Sequence, residues 1–305
     1  MTIKPNFVVI GAQKAASTYL MQMLAEHPEI FVFPRELPYF EDPDYGERTF
    51  EKFCERFIAA EGKKAVGFKR PSYLAKAECP ERIYRHLPTA KLIAVYRNPI
   101  ERSVSAYFHY MRGGRIPVRP LNQGMTDILD RRYEGAYPAS AEIIEYGFYS
   151  KHLRRYLRFF PAESILSVIF DDIVRTPAAV IRSMYRFLDV AEDFQPRAEG
   201  RRPMATIRSL ARLRMVNLIR GVTTYHNEDR TRVYRRKSIF AGAVRKAYLA
   251  FDKTILAKLF PDPRIALAPL LHNRLVEIYS EDVRQLEKLL DKELEDRWLG
   301  RNHSK

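Results

Sequence analysis

The 305-residue chain is 46% hydrophobic and 29% charged, with 13 Gly and 19 Pro, a composition that supports a sizeable core and excludes collagenous or low-complexity architectures. Its 52 Lys and Arg against 37 Asp and Glu leave a formal charge of +15, which favours anionic partners such as nucleotides, nucleic acid, acidic glycans or an anionic membrane face. Cys54 and Cys79 form no disulfide framework or zinc pattern, and no apolar run has the form of a signal peptide or the length of a membrane span, so the expected compartment is the cytosol, with the inner membrane face as a peripheral contact.

Phe7 to Ile10 reads as a short buried strand, Gly11 to Ala16 as a loop, and Ser17 to Glu26 as an apolar-periodic helix that ends before Pro28. Further strands are predicted at Ile30 to Phe33, Ala65 to Lys69, Lys91 to Arg97 and Ile165 to Phe170. Helices are predicted at Pro80 to Leu87, Pro99 to Met111, Phe148 to Phe159 and Pro177 to Leu188, the last capped by Thr176. This alternation predicts an α/β fold, a parallel sheet covered by helices on both faces. Residues 113–141 carry Gly-containing turns and three prolines and read as a variable, partly irregular substrate loop. From Arg197 to Lys258 there are sixteen Lys or Arg and four acids, which concentrates most of the excess charge in a mainly helical, basic C-terminal part. Pro269 to Trp298 reads as one long amphipathic helix with Leu275, Ile278, Tyr279, Leu286, Leu289 and Leu290 on one side. The expected organisation is a single domain over 1–305, with its core at about 5–190 and the basic region at about 197–305.

Gly11-Ala-Gln-Lys14-Ala15-Ala16-Ser17-Thr18 lies where a strand hands over to a helix. A helix N-terminus offers unpaired N–H groups and a favourable dipole to an anion. Lys14 adds a point charge, and Ser17 and Thr18 add hydroxyls; the alternative is an ordinary loop with Ser17 as cap. The spacing departs from the nucleoside-triphosphate loop G-x-x-x-x-G-K-[ST]. A second constellation, Arg97-Asn-Pro-Ile-Glu-Arg102-Ser-Val-Ser105-Ala-Tyr107, starts at the carboxyl end of the strongest predicted strand, where α/β sheets bind ligands. Arg97 and Ser105 suit a second phosphate, one through a fork of donors and one through a hydroxyl.

The paired patterns G-x-x-K-x-x-[ST]-[ST] and R-x-P-x-x-R-x-x-S-x-Y resemble the two nucleotide-binding signatures of sulfotransferases that use 3′-phosphoadenosine 5′-phosphosulfate (PAPS). The chain is most similar to the heparan-sulfate type of carbohydrate sulfotransferase, through Arg35-Glu36-Leu-Pro-Tyr39-Phe40, Phe68-Lys69-Arg-Pro71-Ser-Tyr73 and Gly147-Phe-Tyr149-Ser-Lys-His152. The likeness runs over about residues 5 to 190. It implies a P-loop-like sheet, PAPS as co-substrate and no required metal. Lys14, Ala15, Ala16, Ser17 and Thr18 would hold the 5′-phosphosulfate, Arg97 and Ser105 the 3′-phosphate, and Tyr149 would lie near the nucleotide. Glu36 would be the catalytic base and Lys69 its active-site companion, beside Lys14 as the cation on the leaving group. The family usually has glycine at the position of Ala16 and threonine at that of Ser17.

The implied acceptor is a carbohydrate, glycolipid or other hydroxylated molecule, anionic ones included, with an amine as a less common target; no specific nucleic acid is expected. The absence of a Golgi-type anchor points to a bacterial enzyme. Two other readings stay open on the residues alone. A small-molecule kinase would need a Walker lysine and a magnesium carboxylate, yet the strand Lys91 to Arg97 runs into Arg and Asn. A non-enzymatic protein that binds nucleic acid or a membrane surface would draw on the basic stretch.

Overall fold

The computed structural model describes residues 2–46, 48–197, 207–226 and 233–300. In chain order these form β1 (Phe7–Gly11), α1 (Ser17–Glu26), β2 (Ile30–Glu36), α2 (Phe50–Cys54), β3 (Ala65–Lys69), α3 (Cys79–His86), β4 (Lys91–Tyr96), α4 (Pro99–Arg112), α5 (Leu121–Leu129), α6 (Glu142–Glu145), α7 (Tyr149–Tyr156), β5 (Ile165–Ile169), α8 (Phe170–Arg175) and α9 (Pro177–Phe187). They continue as α10 (Leu210–Thr223), the hairpin β6 (Thr224–His226) and β7 (Val233–Arg235), α11 (Ile239–Phe251), α12 (Ala257–Leu259), α13 (Pro269–Leu290) and α14 (Glu295–Leu299). Two compact units result: residues 1–102, 148–203 and 279–305 make the first, and 103–147 with 204–278 the second.

The first unit carries a five-stranded sheet, ordered β2-β3-β1-β4-β5, with every pairing parallel. All five residues of β1 and of β3 are buried, as are the last five of β4. Strands buried on both faces are the mark of a sheet covered on both sides, and they explain why these runs lack polar alternation. From β1 the chain first builds outward to β2 and β3, then crosses to β4 and β5, so the order reverses between β1 and β4. The carboxyl ends of the strands at such a switch point leave a crevice for ligands. Along that edge stand, in order, Glu36 at the end of β2, Lys69 at the end of β3, the Ala12–Ala16 loop after β1 and Arg97 after β4.

An aromatic cluster on the β2–β3 side fixes the chain beyond β2. Phe40 is fully buried and packs on Phe53, Phe68 and Tyr73 with centroids 5.7, 6.3 and 5.9 Å away. The Tyr73 hydroxyl accepts from the Phe40 amide at 3.0 Å and donates to the Leu37 carbonyl at 2.5 Å. This clamp holds residues 37–40, and with them Glu36, against β3. His27 is structural: Nε2 meets the Ala191 carbonyl at 2.9 Å and Nδ1 accepts from the Glu29 amide at 3.1 Å.

In the second unit, Arg212 is buried and donates to both carboxylate oxygens of Asp252, at 2.9 and 2.8 Å, and to Asp262 at 3.1 Å. Leu213, Tyr248 and Leu256 are buried with them.

Three sequence expectations are corrected. Residues 113–141 include the nine-residue helix α5, whose Gly124 conceals the pattern: a Cβ there would overlap the Tyr107 ring. The tail is two helices, α13 and α14, parted at Asp291, which has φ 50°, while Leu289 and Leu290 are only half-buried. Thr176 occupies the N-cap position of α9 as expected, but its side chain makes no cap bond; its hydroxyl donates to the Asp172 carbonyl at 3.2 Å.

Candidate active site

The loop after β1 turns sharply. Lys14 and Ala16 both adopt left-handed backbone, with φ 69° and 68°, a region unfavourable to residues with a Cβ. Ala16, and not Ser17, is the N-cap residue of α1, and no side chain caps the helix. Its first-turn amides are therefore not claimed by a capping side chain, the arrangement that suits an oxyanion. Gly11 is needed where the loop leaves the strand, because a Cβ there would sit 2.6 Å from Leu74 Cβ and 3.2 Å from the Pro71 carbonyl oxygen. The position of Ala16 explains why glycine suits it. Ala16→Gly relieves the left-handed strain and is expected to raise stability by about 0.5–1 kcal/mol, seen as a higher thermal midpoint.

Lys69 stands at the centre of the site. Its ammonium donates to Thr18 Oγ1 at 2.5 Å and lies 3.5 Å from Glu36 Oε1. One cation thus joins the first turn of α1 to the expected base, and the β2–β3 register, in which Glu36 lies opposite Lys69, makes the contact possible. Lys69 is largely buried, whereas the Glu36 side chain is 40% exposed and open to a reactant.

Arg70 completes this part of the site. Nη1 donates to Glu36 Oε2 at 3.1 Å, and Nε donates to Glu41 Oε1 at 2.9 Å while Nη2 makes an ion pair with the same carboxylate. Glu41 is 1% exposed and also accepts from Ser72 Oγ at 2.8 Å. Burial works against the Arg70 charge, but Glu41 and then Glu36 outweigh it and hold the guanidinium above its ordinary value. Arg70 is a fixed cation that orients Glu36 and is itself oriented by Glu41. Sequence reasoning singles out neither Arg70 nor Glu41; an acid directly after the aromatic Tyr39-Phe40 pair is the signal that could have found the second.

Arg97 projects from the end of β4 back over the loop. Nη1 donates to the Lys14 carbonyl at 3.4 Å, Nε and Nη2 donate to Glu101 at 3.2 and 2.8 Å, and the guanidinium lies over the Phe170 ring at 4.6 Å. The Asn98 side chain caps α4, accepting from the amides of Ile100 and Glu101 at 2.9 and 3.2 Å, and donates to the Trp298 carbonyl at 2.6 Å. Tyr149 is fully buried, packs against Tyr96 at 5.3 Å, and burial raises its hydroxyl above the ordinary tyrosine range. Ser17 is buried and Thr18 exposed. Lys14, Thr18, Glu36, Lys69 and Arg97 thus stand along one edge of the sheet in the first unit. Ser105 is half-buried on α4 and belongs to the second unit.

The second unit holds its own basic cluster. Burial, then the neighbouring Arg115, Arg112 and Arg235, press the Arg220 guanidinium below its ordinary range. Among the described residues no helix is long and apolar enough to cross a membrane.

An uncapped helix start, a lysine loop and an arginine at the adjacent strand end are set at the switch point of a parallel sheet, an arrangement that suits an oxyanion. The model of the sulfotransferase family matches residues 44–196, half of the chain, and the chain belongs to that family. The matched span contains Lys69 and Arg97, and the Lys14 loop and Glu36 precede it. Mouse heparan sulfate glucosamine 3-O-sulfotransferase 3A1 is 31% identical over 186 residues, 60% of this chain and 45% of that protein. Human heparan sulfate glucosamine 3-O-sulfotransferase 5 is 25% identical over 193 residues, 61% of this chain and 54% of that protein. The chain spans about half the length of the curated relatives it matches. The crystal structure of a sulfotransferase from Alicyclobacillus acidocaldarius shares the fold, with a TM-score of 0.68 over 97% of this chain and 99% of that one at 22% identity.

Proposed function

We propose that the protein transfers a sulfuryl group from PAPS to a hydroxyl, less commonly an amine, of a carbohydrate, glycolipid or related acceptor. The observation that carries this reading is the Lys69 ammonium, in contact with both Thr18 on the phosphate-loop helix and the Glu36 carboxylate. It sets an oxyanion cradle and a candidate base side by side, as transfer from a bound donor to a hydroxyl requires. The residues fit the donor: the uncapped start of α1, Lys14, Ser17 and Thr18 suit the 5′-phosphosulfate, and Arg97 suits the 3′-phosphate. When bound, PAPS supplies an activated sulfuryl group on a good leaving group.

Glu36, open on one side and held by Lys69 and Arg70 on the other, takes the proton of the acceptor hydroxyl as its oxygen bonds to sulfur. Lys14 and the first-turn amides of α1 receive the charge that grows on the bridging oxygen as the sulfur–oxygen bond to the nucleotide breaks. Lys69 stabilises charge on either side of that transfer. The names of the curated relatives support a carbohydrate hydroxyl as the acceptor class.

Calorimetric titration with adenosine 3′,5′-bisphosphate, beside AMP and ATP with magnesium, tests the reading without the acceptor. Selective binding of the 3′,5′-bisphosphate is expected; preference for ATP with magnesium would assign the protein to phosphoryl transfer instead.

A further inference from the structure

The chain from Ile239 to Phe260, through α11 and α12, carries several exposed apolar residues of the second unit. Ala241, Tyr248, Asp252 and Leu256 form its buried stripe, and Asp252 is taken up by Arg212. Their spacing of seven, four and four residues follows one helical face. Around that stripe apolar side chains are open to solvent: Ile239 is 95% exposed, Phe240 68% and Leu259 65%, with Phe251, Ile255 and Phe260 also exposed. Single exposed apolar residues are ordinary, but these six within twenty-two residues mark a contact surface.

The charges on this face all have one sign. Lys246, Lys253 and Lys258 are exposed or half-exposed among the apolar residues, and Arg235, Arg236 and Lys237 are exposed directly before them. Asp252 is the single acid between Ile239 and Phe260, and it is buried and paired. A second copy of the same face would set lysine against lysine, because a two-fold interface pairs a patch with itself. An anionic lipid surface matches both properties at once: headgroups meet the lysines, and the acyl boundary takes the phenylalanine and isoleucine side chains.

We propose that residues 239–260 form an interfacial docking face that lays the second unit on an anionic membrane. This goes beyond the sulfuryl-transfer reading and does not depend on it. The test is co-sedimentation of the full chain with vesicles of equal parts phosphatidylglycerol and phosphatidylcholine, and with phosphatidylcholine alone. Binding to the anionic vesicles only is expected. Ile239→Glu combined with Phe240→Glu lowers the partition coefficient about tenfold or more, and Lys246→Gln with Lys253→Gln lowers it as well. Leu259→Glu is the second apolar variant should the first fail to fold. Affinity for adenosine 3′,5′-bisphosphate stays unchanged in all of them.

Three outcomes overturn the proposal. One is no binding to anionic vesicles. A second is binding that the glutamate variants leave intact, which reports adsorption of net charge alone. The third is a dimer in solution that the glutamate variants dissociate without any vesicle binding, which assigns the face to a second copy.

Discussion

Glu36→Gln is expected to lower the rate of sulfuryl transfer by about a hundredfold to ten-thousandfold, the usual contribution of a positioned base. Glutamine keeps the length and shape of the side chain and still offers an oxygen to the Arg70 guanidinium, which now lies 3.1 Å from Glu36 Oε2. The Tyr73 clamp on residues 37–40 does not involve the carboxylate, so the backbone position survives. What glutamine lacks is proton affinity. The loss therefore falls on turnover, and calorimetric affinity for adenosine 3′,5′-bisphosphate stays within about twofold, since Glu36 faces the acceptor and not the nucleotide in the proposed reaction. The comparison is single-turnover transfer to heparan sulfate or another glycan found to be an acceptor. Activity within a few-fold of the parent removes Glu36 from the base role, while loss of turnover and nucleotide binding together marks it as a positioning residue.

The sheet was legible because a strand buried on both faces leaves a short, unbroken apolar run, as in Phe7 to Ile10 and Lys91 to Tyr96, and such runs are separated here by helical periodicity. Site residues attached to those strand ends were legible for the same reason: Lys14, Lys69 and Arg97 follow directly from where β1, β3 and β4 stop. Arg70 and Glu41 were not, because nothing local says that a side chain one residue beyond β3 turns to meet an acid five residues beyond β2; the strand pairing decides it. Ala16 illustrates a different limit. Its left-handed backbone is imposed by the tight exit from β1, and alanine carries no local sign of it. In α5 the glycine that reads as a breaker is a packing necessity for Tyr107, so a local rule gave way to a tertiary one.

Arg97→Ala is expected to weaken adenosine 3′,5′-bisphosphate binding by about ten- to a hundredfold, in line with loss of charge-assisted hydrogen bonds of ~1.5–3 kcal/mol. The guanidinium is held in place, because Phe170 supports its face and Glu101 holds Nε and Nη2, while Nη1 reaches the Lys14 carbonyl at 3.4 Å. A phosphate beside the loop offers a stronger acceptor than that long contact. Glu101, which the substitution leaves without its partner, is 56% exposed at the side chain and is solvated at little cost. The decisive comparison is with AMP, which lacks the 3′-phosphate. If Arg97 reads that group, the variant loses the preference for the bisphosphate and keeps its affinity for AMP. If Arg97 only braces the loop through the Lys14 carbonyl, both ligands weaken alike. Arg97→Lys separates charge from geometry, because an ammonium restores the positive charge without the fork of donors. Recovery of less than half of the lost binding free energy in that variant would place the selectivity in the fork.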